Sequence, residues 1–505
     1  MSLVKAVFTL TAFSVVDRAL GFIFKIYLSR EMGAAALGTY QIALSFFFVL
    51  ATLTTSGLPL ITGKKTAAML AEGRTRDASS VVGAGLVVNC ALSLLLAGGV
   101  LALSPVLPAL LSGEEAVGLL LVMLPALLFG GIQAAFRGNL WGREKFFTVS
   151  FIELLEQIFR IVICVAMFAA GAGKTFAAVL SLVLAMGLSM AITIAVFFAG
   201  RGRVAAPGAQ LRPLIAESAP ISALRASSSL TGVLMATIVP FLFSVSGYTR
   251  EESLAMFGAG IGMAMPLLYL PITVIGSLSY ALIPELSRAA ATGRRDEVRS
   301  RTETSIKFSV IVSAACMPMF YGVGEEVGML LYGDAVAGEA IKLGTYLLIP
   351  IALESITSSM MNSLGMEKQG FVNYLIGTAV TVGVMFCFYG SFSVNAVCIA
   401  MFAGLVLSTA LDISCIKKHT GISLSMFGTL FGACMLAVPC ALLSEWTARL
   451  TQGAPAAAEI ACGAAAGTAA MLALMWAFGL YDGFMLRGRR KKATGARQKH
   501  LPTSG

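Results

Sequence analysis

Apolar stretches about as long as a bilayer is thick recur from one end of this chain to the other, and they leave few folds open to it. Fourteen can be counted, over about 4–28, 38–61, 79–103, 117–136, 149–170, 175–199, 214–244, 254–283, 303–322, 342–362, 371–390, 394–416, 424–444 and 459–481. A helix of about 20 apolar residues crosses about 30 Å of hydrocarbon. There every backbone polar group must be bonded internally, so only helices and closed barrels can span. The alternating pattern of a barrel strand is absent. The expected fold is an all-α polytopic membrane protein with about 14 transmembrane helices. Only 12% of the 505 residues are charged, about half the share of soluble proteins. Pro220, Pro240, Pro266 and Pro271, inside spans 7 and 8, predict kinks there.

Charge outside the spans sets the orientation. With a cytoplasmic N-terminus, the inward segments carry 26 Lys and Arg, Arg137, Arg143 and Lys145 among them, and the outward segments carry 5. The excess of inward positive charge predicts two cytoplasmic termini and a multi-pass protein of the bacterial cytoplasmic membrane. The basic tail, 483–505, suits anionic lipid at the membrane surface better than nucleic acid. All nine cysteines lie in apolar spans without a CxxC pair, which predicts small buried hydrophobes rather than disulfides or metal ligands. His419 and His500 fall in a loop and the tail, so no zinc site is expected. The first span is too long, and too polar in its middle, for a cleaved signal peptide.

An internal repeat is visible. Gly142-Arg143-Glu144-Lys145 follows span 4, and Gly365-Met366-Glu367-Lys368 follows span 10, 223 residues later. Pro59 ends span 2 and Pro284 ends span 8, 225 residues later, each before a basic segment closing in Gly-Arg (Gly73-Arg74, Gly293-Arg294). Six spans per repeat is an even number, so both halves insert alike. Their pseudo-twofold axis then runs along the membrane normal. The expected division is 1–205 (spans 1–6), 206–420 (spans 7–12), 421–482 (spans 13–14) and the tail. Gly428/Gly432 and Gly463/Gly467 give the last two spans GxxxG faces.

Charges inside spans mark the candidate site, because a charge at bilayer depth costs a few kcal/mol or more and faces a cavity or a partner. Thr11, Ser14, Arg18, Gly21 and Lys25 fall on one face of the first helix, with Asp17 beside it. A polar, cationic stripe on a membrane helix predicts a water-accessible path for an anionic cargo. Ser218, Ser222, Arg225, Ser229 and Gly232 repeat the pattern on span 7. The bland alternatives are an intramembrane ion pair for Arg18 and a packing pair with Glu217 for Arg225. Glu153, Glu156, Gln157 and Arg160 open span 5. Glu156 and Arg160 stand in the favourable i,i+4 order for an ion pair, read as a structural clamp or as a gate. Glu354 lies near mid-depth among serines and threonines, placed to pair with a cavity arginine, bind a coupling cation, or join a packing network. Asp412 and Lys307 read as structural. Gly258, Gly260 and Gly262 mimic a nucleotide-binding glycine motif but lie in an apolar span with no preceding strand, which predicts close helix packing instead. No Walker motif, Ser/His/Asp set or HExxH is present.

Four blocks carry a family resemblance: "RALGFIFKIYLSREMGAAALGTYQIALSFF" from residue 18, "FRGNLWGREKFFTVSFIELLEQIFRIVI" (136–163), "FGAGIGMAMPLLYLPITVIGSLSYALIPELSRA" (257–289) and "LLYGD" (330–334). They resemble the stage V sporulation protein B and polysaccharide-biosynthesis group, related to the lipid II flippases, in the multidrug/oligosaccharidyl-lipid/polysaccharide exporter superfamily. The resemblance implies two six-helix lobes, alternating access, a polyprenyl-diphosphate-linked sugar as cargo and a monomer. The best-known lipid II flippases carry an arginine within helix 8; span 8 here has no charge between Ala255 and Pro284.

The expected function is a flippase moving a lipid-linked oligosaccharide or peptidoglycan precursor to the outer leaflet, driven by an ion gradient (H+ or Na+) or the membrane potential. It needs no cofactor, metal or ATPase of its own. Arg18, Arg225, Lys25 and Asp17 are the expected substrate contacts, and Glu153, Glu156, Arg160 and Glu354 the gate or coupling residues. Two other readings stand beside it: a cation-coupled multidrug exporter, which calls for an acidic cavity, and a non-transporting scaffold for wall or spore envelope assembly.

Overall fold

A computed structural model describes residues 3–420, 427–451 and 453–480; the side chains of 3–11, 274, 277–284 and 427, and the whole basic tail, lie outside that description. All the described elements are helices, in two compact units: Met1–Met263 with Tyr389–Phe392, and Ala264–Phe388 with Ser393–Gly505.

The first unit holds α1 (Leu3–Met32), α2 (Ala34–Thr55), α3 (Gly57–Ala71), α4 (Thr75–Leu103), α5 (Leu107–Leu110), α6 (Glu114–Gly142), α7 (Phe146–Ala169), α8 (Lys174–Ala199), α9 (Leu211–Val245) and α10 (Arg250–Phe257). A π-helix, Gly258–Ala264, follows, and the chain passes between the units inside it. The second unit holds α11 (Met265–Leu268), α12 (Leu270–Ala291), α13 (Arg295–Gly322), α14 (Gly324–Tyr332), α15 (Ala335–Gly344), α16 (Leu348–Ser363), α17 (Glu367–Cys387), α18 (Val394–Thr420), α19 (Phe427–Leu450) and α20 (Ala456–Ala477). Among the described residues, 12 stretches are long and apolar enough to cross a membrane. With α1 and α7 they account for every expected span. Glu153, Glu156 and Arg160 interrupt the apolar run of α7.

The prolines predict part of the interruptions: Pro266 and Pro271 each stand in the first turn of a helix beside the break of span 8 at Tyr269. Pro220 and Pro240 sit inside an unbroken α9. Span 8 is interrupted by the π-helix and again at Tyr269. Span 2, one apolar run in the sequence, breaks at Ser56 between α2 and α3.

The internal repeat reappears as backbone geometry. After α6, Arg143, Glu144 and Lys145 donate to the carbonyls of Asn139, Trp141 and Leu140, with Glu144 at φ 58°. After α16, Leu364, Gly365 and Met366 donate to Met360, Asn362 and Met361, with Gly365 at φ 72°. Glu144 is therefore the counterpart of Gly365, two residues out of register with the matching tetrapeptides. Gly73 and Gly293 make a second matching pair of turns, each followed by an arginine whose amide donates five residues back, to Met69 and Ala289.

Close helix contacts are built on small residues. A Cβ on Gly38 would stand 2.1 Å from the Leu254 carbonyl oxygen, and one on Gly258 would stand 2.0 Å from that of Ala34. Only glycine lets α2 and α10 approach so nearly. Gly138 and Gly142 serve the same purpose for α6 against α3, facing the carbonyls of Pro59 and Gly63. In the second unit, Gly463 and Gly467 pack on Ser444, whose hydroxyl donates to the Gly463 carbonyl at 2.8 Å. All nine cysteines are free, but Cys387, Cys434 and Cys462 are exposed rather than buried.

Candidate functional site

Helices α1 and α7 run side by side in the same direction. The Phe13 ring meets the Phe147 ring edge-on at 5.3 Å near one end, and Tyr27 stacks on Phe168 at 5.8 Å near the other. Between these aromatic contacts the charges of both helices converge. Asp17 lies within charge–charge range of Arg18, Glu156 and Arg160. Glu153 lies within range of Asp17, Glu156 and Arg137, and Lys25 within range of Arg160. Gly21 leaves room for Gln157, whose Nε2 would be 3.5 Å from a Cβ there. Two motifs that the sequence offers separately, the stripe on span 1 and the cluster opening span 5, thus form one site. Ser14 and Arg18 are exposed and Lys25 is half-buried. Thr11, the first residue of the stripe, has its side chain outside the described residues.

The expected ion pair between Glu156 and Arg160 does not form among the described contacts. Arg160 instead turns across to α1 and α2: it donates to the Tyr40 hydroxyl and lies 5.4 Å from the centre of the Phe24 ring. Arginine suits such a place because its flat, weakly hydrated guanidinium stacks on rings and bonds at its edge. Glu153 pairs with Arg137 on α6 at 3.1 Å. Arg137, one of the inward loop charges by sequence, lies inside α6, and its Nη2 also donates to the Thr55 carbonyl at 3.4 Å. The Nε atoms of Arg137 and Arg160 are buried without a partner among the described residues. The cluster holds Arg18, Lys25, Arg137 and Arg160 against Asp17, Glu153 and Glu156, a net excess of one cation. Arg18 forms no ion pair among the described residues, which leaves its guanidinium free for an anion.

Arg225 stands apart. It is exposed on α9, and none of the described contacts joins it to the α1/α7 cluster. The serines flanking it do more packing than lining. Ser222 accepts from the Gly57 amide at 3.1 Å, and Ser229 bonds the Thr52 hydroxyl at 3.3 Å, so this face covers the break in span 2. Glu217 pairs with Lys65 at 2.6 Å rather than with Arg225.

Glu354 belongs to the second unit. Its Oε2 accepts from the Thr409 hydroxyl at 3.3 Å, and Asp412 lies close enough to repel it. Asp412, 1% exposed, accepts from Asn373 at 2.8 Å and Thr357 at 3.2 Å. No lysine or arginine pairs with either acid among the described residues. Sequence reasoning does not disclose this juxtaposition; the one signal available is that both acids lie inside apolar spans. Thr409 also lines an apolar cavity of about 650 Å³ walled by Tyr321, Tyr346, Phe402 and Val438.

Comparison with known proteins bears on both units. The family described as polysaccharide biosynthesis protein matches residues 3–290. Stage V sporulation protein B of Bacillus subtilis (strain 168) is 24% identical over 442 residues, 84% of this chain and 85% of that protein. Sporulation protein YkvU of the same organism is 19% identical, over 84% of this chain and 97% of its own. Among solved structures, lipid II flippase MurJ in an inward closed conformation matches with a TM-score of 0.71 at 14% identity, over 93% of this chain and 98% of that one. An inward-facing multidrug resistance MATE family transporter of the MOP superfamily matches with a TM-score of 0.68 at 16% identity, over 80% and 94%. The chain therefore has the polytopic helical fold of these membrane proteins.

Proposed function

Because the chain belongs to the polysaccharide biosynthesis protein family, we propose that it is a flippase. It carries a polyprenyl-diphosphate-linked oligosaccharide or peptidoglycan precursor from the inner to the outer leaflet by alternating access, with both termini cytoplasmic. The observation that carries this reading is the intramembrane cluster of α1 and α7, where with Arg137 of α6 the cations outnumber the acids by one, and where Arg18 is exposed and forms no ion pair among the described residues. A diphosphate is the anion that such a site suits, since a guanidinium fork bonds two phosphate oxygens at once. Lys25 and Arg160 add positive potential, and Asp17 orients the set. Arg225, exposed on α9, is a second phosphate contact. Likeness to the MurJ lipid II flippase fold supports a lipid-linked cargo.

The pair Glu354–Asp412 supports coupling to H+ or Na+, as two acids with no basic partner among the described residues attract a small cation. The same pair is what favours the second reading, a cation-coupled multidrug exporter, and a multidrug resistance MATE family transporter shares this fold; the excess cation of the cluster, counted with Arg137, speaks against cationic drugs as cargo. The test is complementation of a bacterium depleted of its own lipid II flippase by wild type and by Arg18→Ala. Rescue by wild type alone supports peptidoglycan-precursor transport through Arg18. Equal rescue by both removes Arg18 from the path, and failure of both at normal membrane levels points to another lipid-linked glycan.

A further inference from the structure

The break at Ser56 frees backbone groups in the middle of an apolar span, and each must find a partner there. The Gly57 amide donates to Ser222 Oγ at 3.1 Å, and the Thr55 carbonyl accepts from Arg137 Nη2 at 3.4 Å. The other Arg137 nitrogen, Nη1, holds Glu153 of α7 at 3.1 Å, and the guanidinium lies 5.3 Å from the centre of the Trp141 ring. One side chain thus ties three helices: α6, which carries it, the end of α2, and the acidic opening of α7.

The two halves of span 2 meet α6 in different ways. Helix α3 is locked to α6 by backbone contacts at Gly138 and Gly142, where a methyl would stand 2.7 Å from the Pro59 oxygen and 2.6 Å from the Gly63 oxygen. The last turn of α2 meets α6 through side chains: a Cβ on Gly130 would stand 3.3 Å from the Thr55 methyl, and Arg137 bonds the Thr55 carbonyl. A backbone-locked α3 beside an α2 end that α6 grips through side chains makes the break a joint whose angle Arg137 helps to set. Because the same guanidinium holds Glu153, the setting is shared with the α1/α7 charge cluster.

We propose that Arg137 is a positioning residue that couples the joint in span 2 to Glu153, and so holds the α1/α7 cluster in register with α2. The transport arm of this proposal rests on the flippase reading; the structural arm does not. The other charged or titratable side chains acting on Glu153 are Asp17 and Glu156, both acids, so losing Arg137 leaves Glu153 among like charges.

The test uses the full chain in lipid nanodiscs, comparing wild type, Arg137→Gln, Arg137→Lys and Glu153→Gln by hydrogen–deuterium exchange. Arg137→Gln should speed exchange about tenfold at the amides of 56–58 and of 149–157, and leave α4 and α8 unchanged. Arg137→Lys should restore protection in α7, through its charge, but not at the joint, where one ammonium cannot serve both partners. Glu153→Gln should loosen α7 alone. Unchanged exchange at 56–58 in Arg137→Gln, or an equal rise throughout the first unit, overturns the proposal. In transport of a fluorescent lipid-linked glycan, Arg137→Gln should lower the rate without changing the apparent affinity; lowered affinity would make Arg137 a substrate contact and also overturn it. If wild type moves no such glycan while the exchange pattern appears, the flippase reading fails and the joint stands.

Discussion

Adding one methyl group at Gly38 should lower stability, whereas adding one at Gly99 should raise it. At Gly38 the new carbon would stand 2.1 Å from the Leu254 carbonyl oxygen, and ordinary contact begins at 3.4 Å. The obstacle is backbone, so α2 and α10 must part by roughly 1.3 Å. A gap of about 0.5–1 Å already forfeits a quarter to a half of each dispersion contact along the crossing. Overpacking of this kind costs about 1–3 kcal/mol, and a carbonyl that cannot rotate aside puts the cost at the upper end. Gly99 has nothing within 4 Å of the same methyl. Both substitutions gain about 1 kcal/mol of helix propensity, so the difference between the two alanine variants isolates the contact. For a domain near the size of the first unit, about 1 kcal/mol moves Tm by about 2–4 °C. Gly38→Ala should therefore melt several degrees below Gly99→Ala when both are heated in one detergent and followed by circular dichroism. Gly258→Ala should match Gly38→Ala. The double variant should cost less than the sum, because one separation admits both methyls. If Gly38→Ala and Gly99→Ala melt together, the close approach of α2 and α10 is not a property of the protein.

Three further expectations concern the charged groups. Tyr40→Phe removes the hydroxyl that accepts from Arg160 and should cost about 1.5–3 kcal/mol; Arg160→Ala should cost about 0.5–1 kcal/mol more through loss of the Phe24 contact, and equal Tm values for the two would deny that contact a role. Asp412→Asn should destabilise by about 1–3 kcal/mol, since its amide cannot accept from both Asn373 and Thr357; Glu354→Gln should fold normally yet lose dependence on the ion gradient, and undiminished dependence places coupling elsewhere. Glu217→Gln should cost less than about 1 kcal/mol, as a half-exposed ion pair does, with transport unchanged; a defect as large as that of Arg225→Ala would link the two residues after all.

What the sequence discloses here is periodicity and local order. Every expected span is matched by helix, and the repeat of turns is real. Its register slips by two residues because the tetrapeptides align letters, while the turn is built around the left-handed residue, Glu144 in one copy and Gly365 in the other. Partners far apart in the chain are not disclosed. Nothing local points Arg160 at Tyr40, 120 residues away, when Glu156 stands one turn back. Arg137 reads as a loop charge because it follows the apolar run of span 4, yet α6 continues to Gly142 and its carbonyl partner lies 82 residues earlier. The serine face of α9 is equally deceptive. Its spacing is that of a wet wall, yet Ser222 and Ser229 bond the end of α2 and the start of α3; the break itself is announced only locally, by Ser56-Gly57 and Pro59.

The π-helix where the chain changes units has a consequence for how the protein is made. Because the crossing falls inside a membrane-spanning stretch, a nascent chain that has reached only Val245 still lacks α10, and Gly38 faces no Leu254. The first unit also recruits Tyr389–Phe392: Phe392 is 1% exposed, donates its amide to Ser246 at 2.8 Å and meets the Phe243 ring at 5.0 Å. The N-terminal unit therefore cannot finish folding before most of the C-terminal one has left the ribosome. Synthesis is vectorial, but completion of the two units is interlocked, and an early-terminated chain leaves both unfinished.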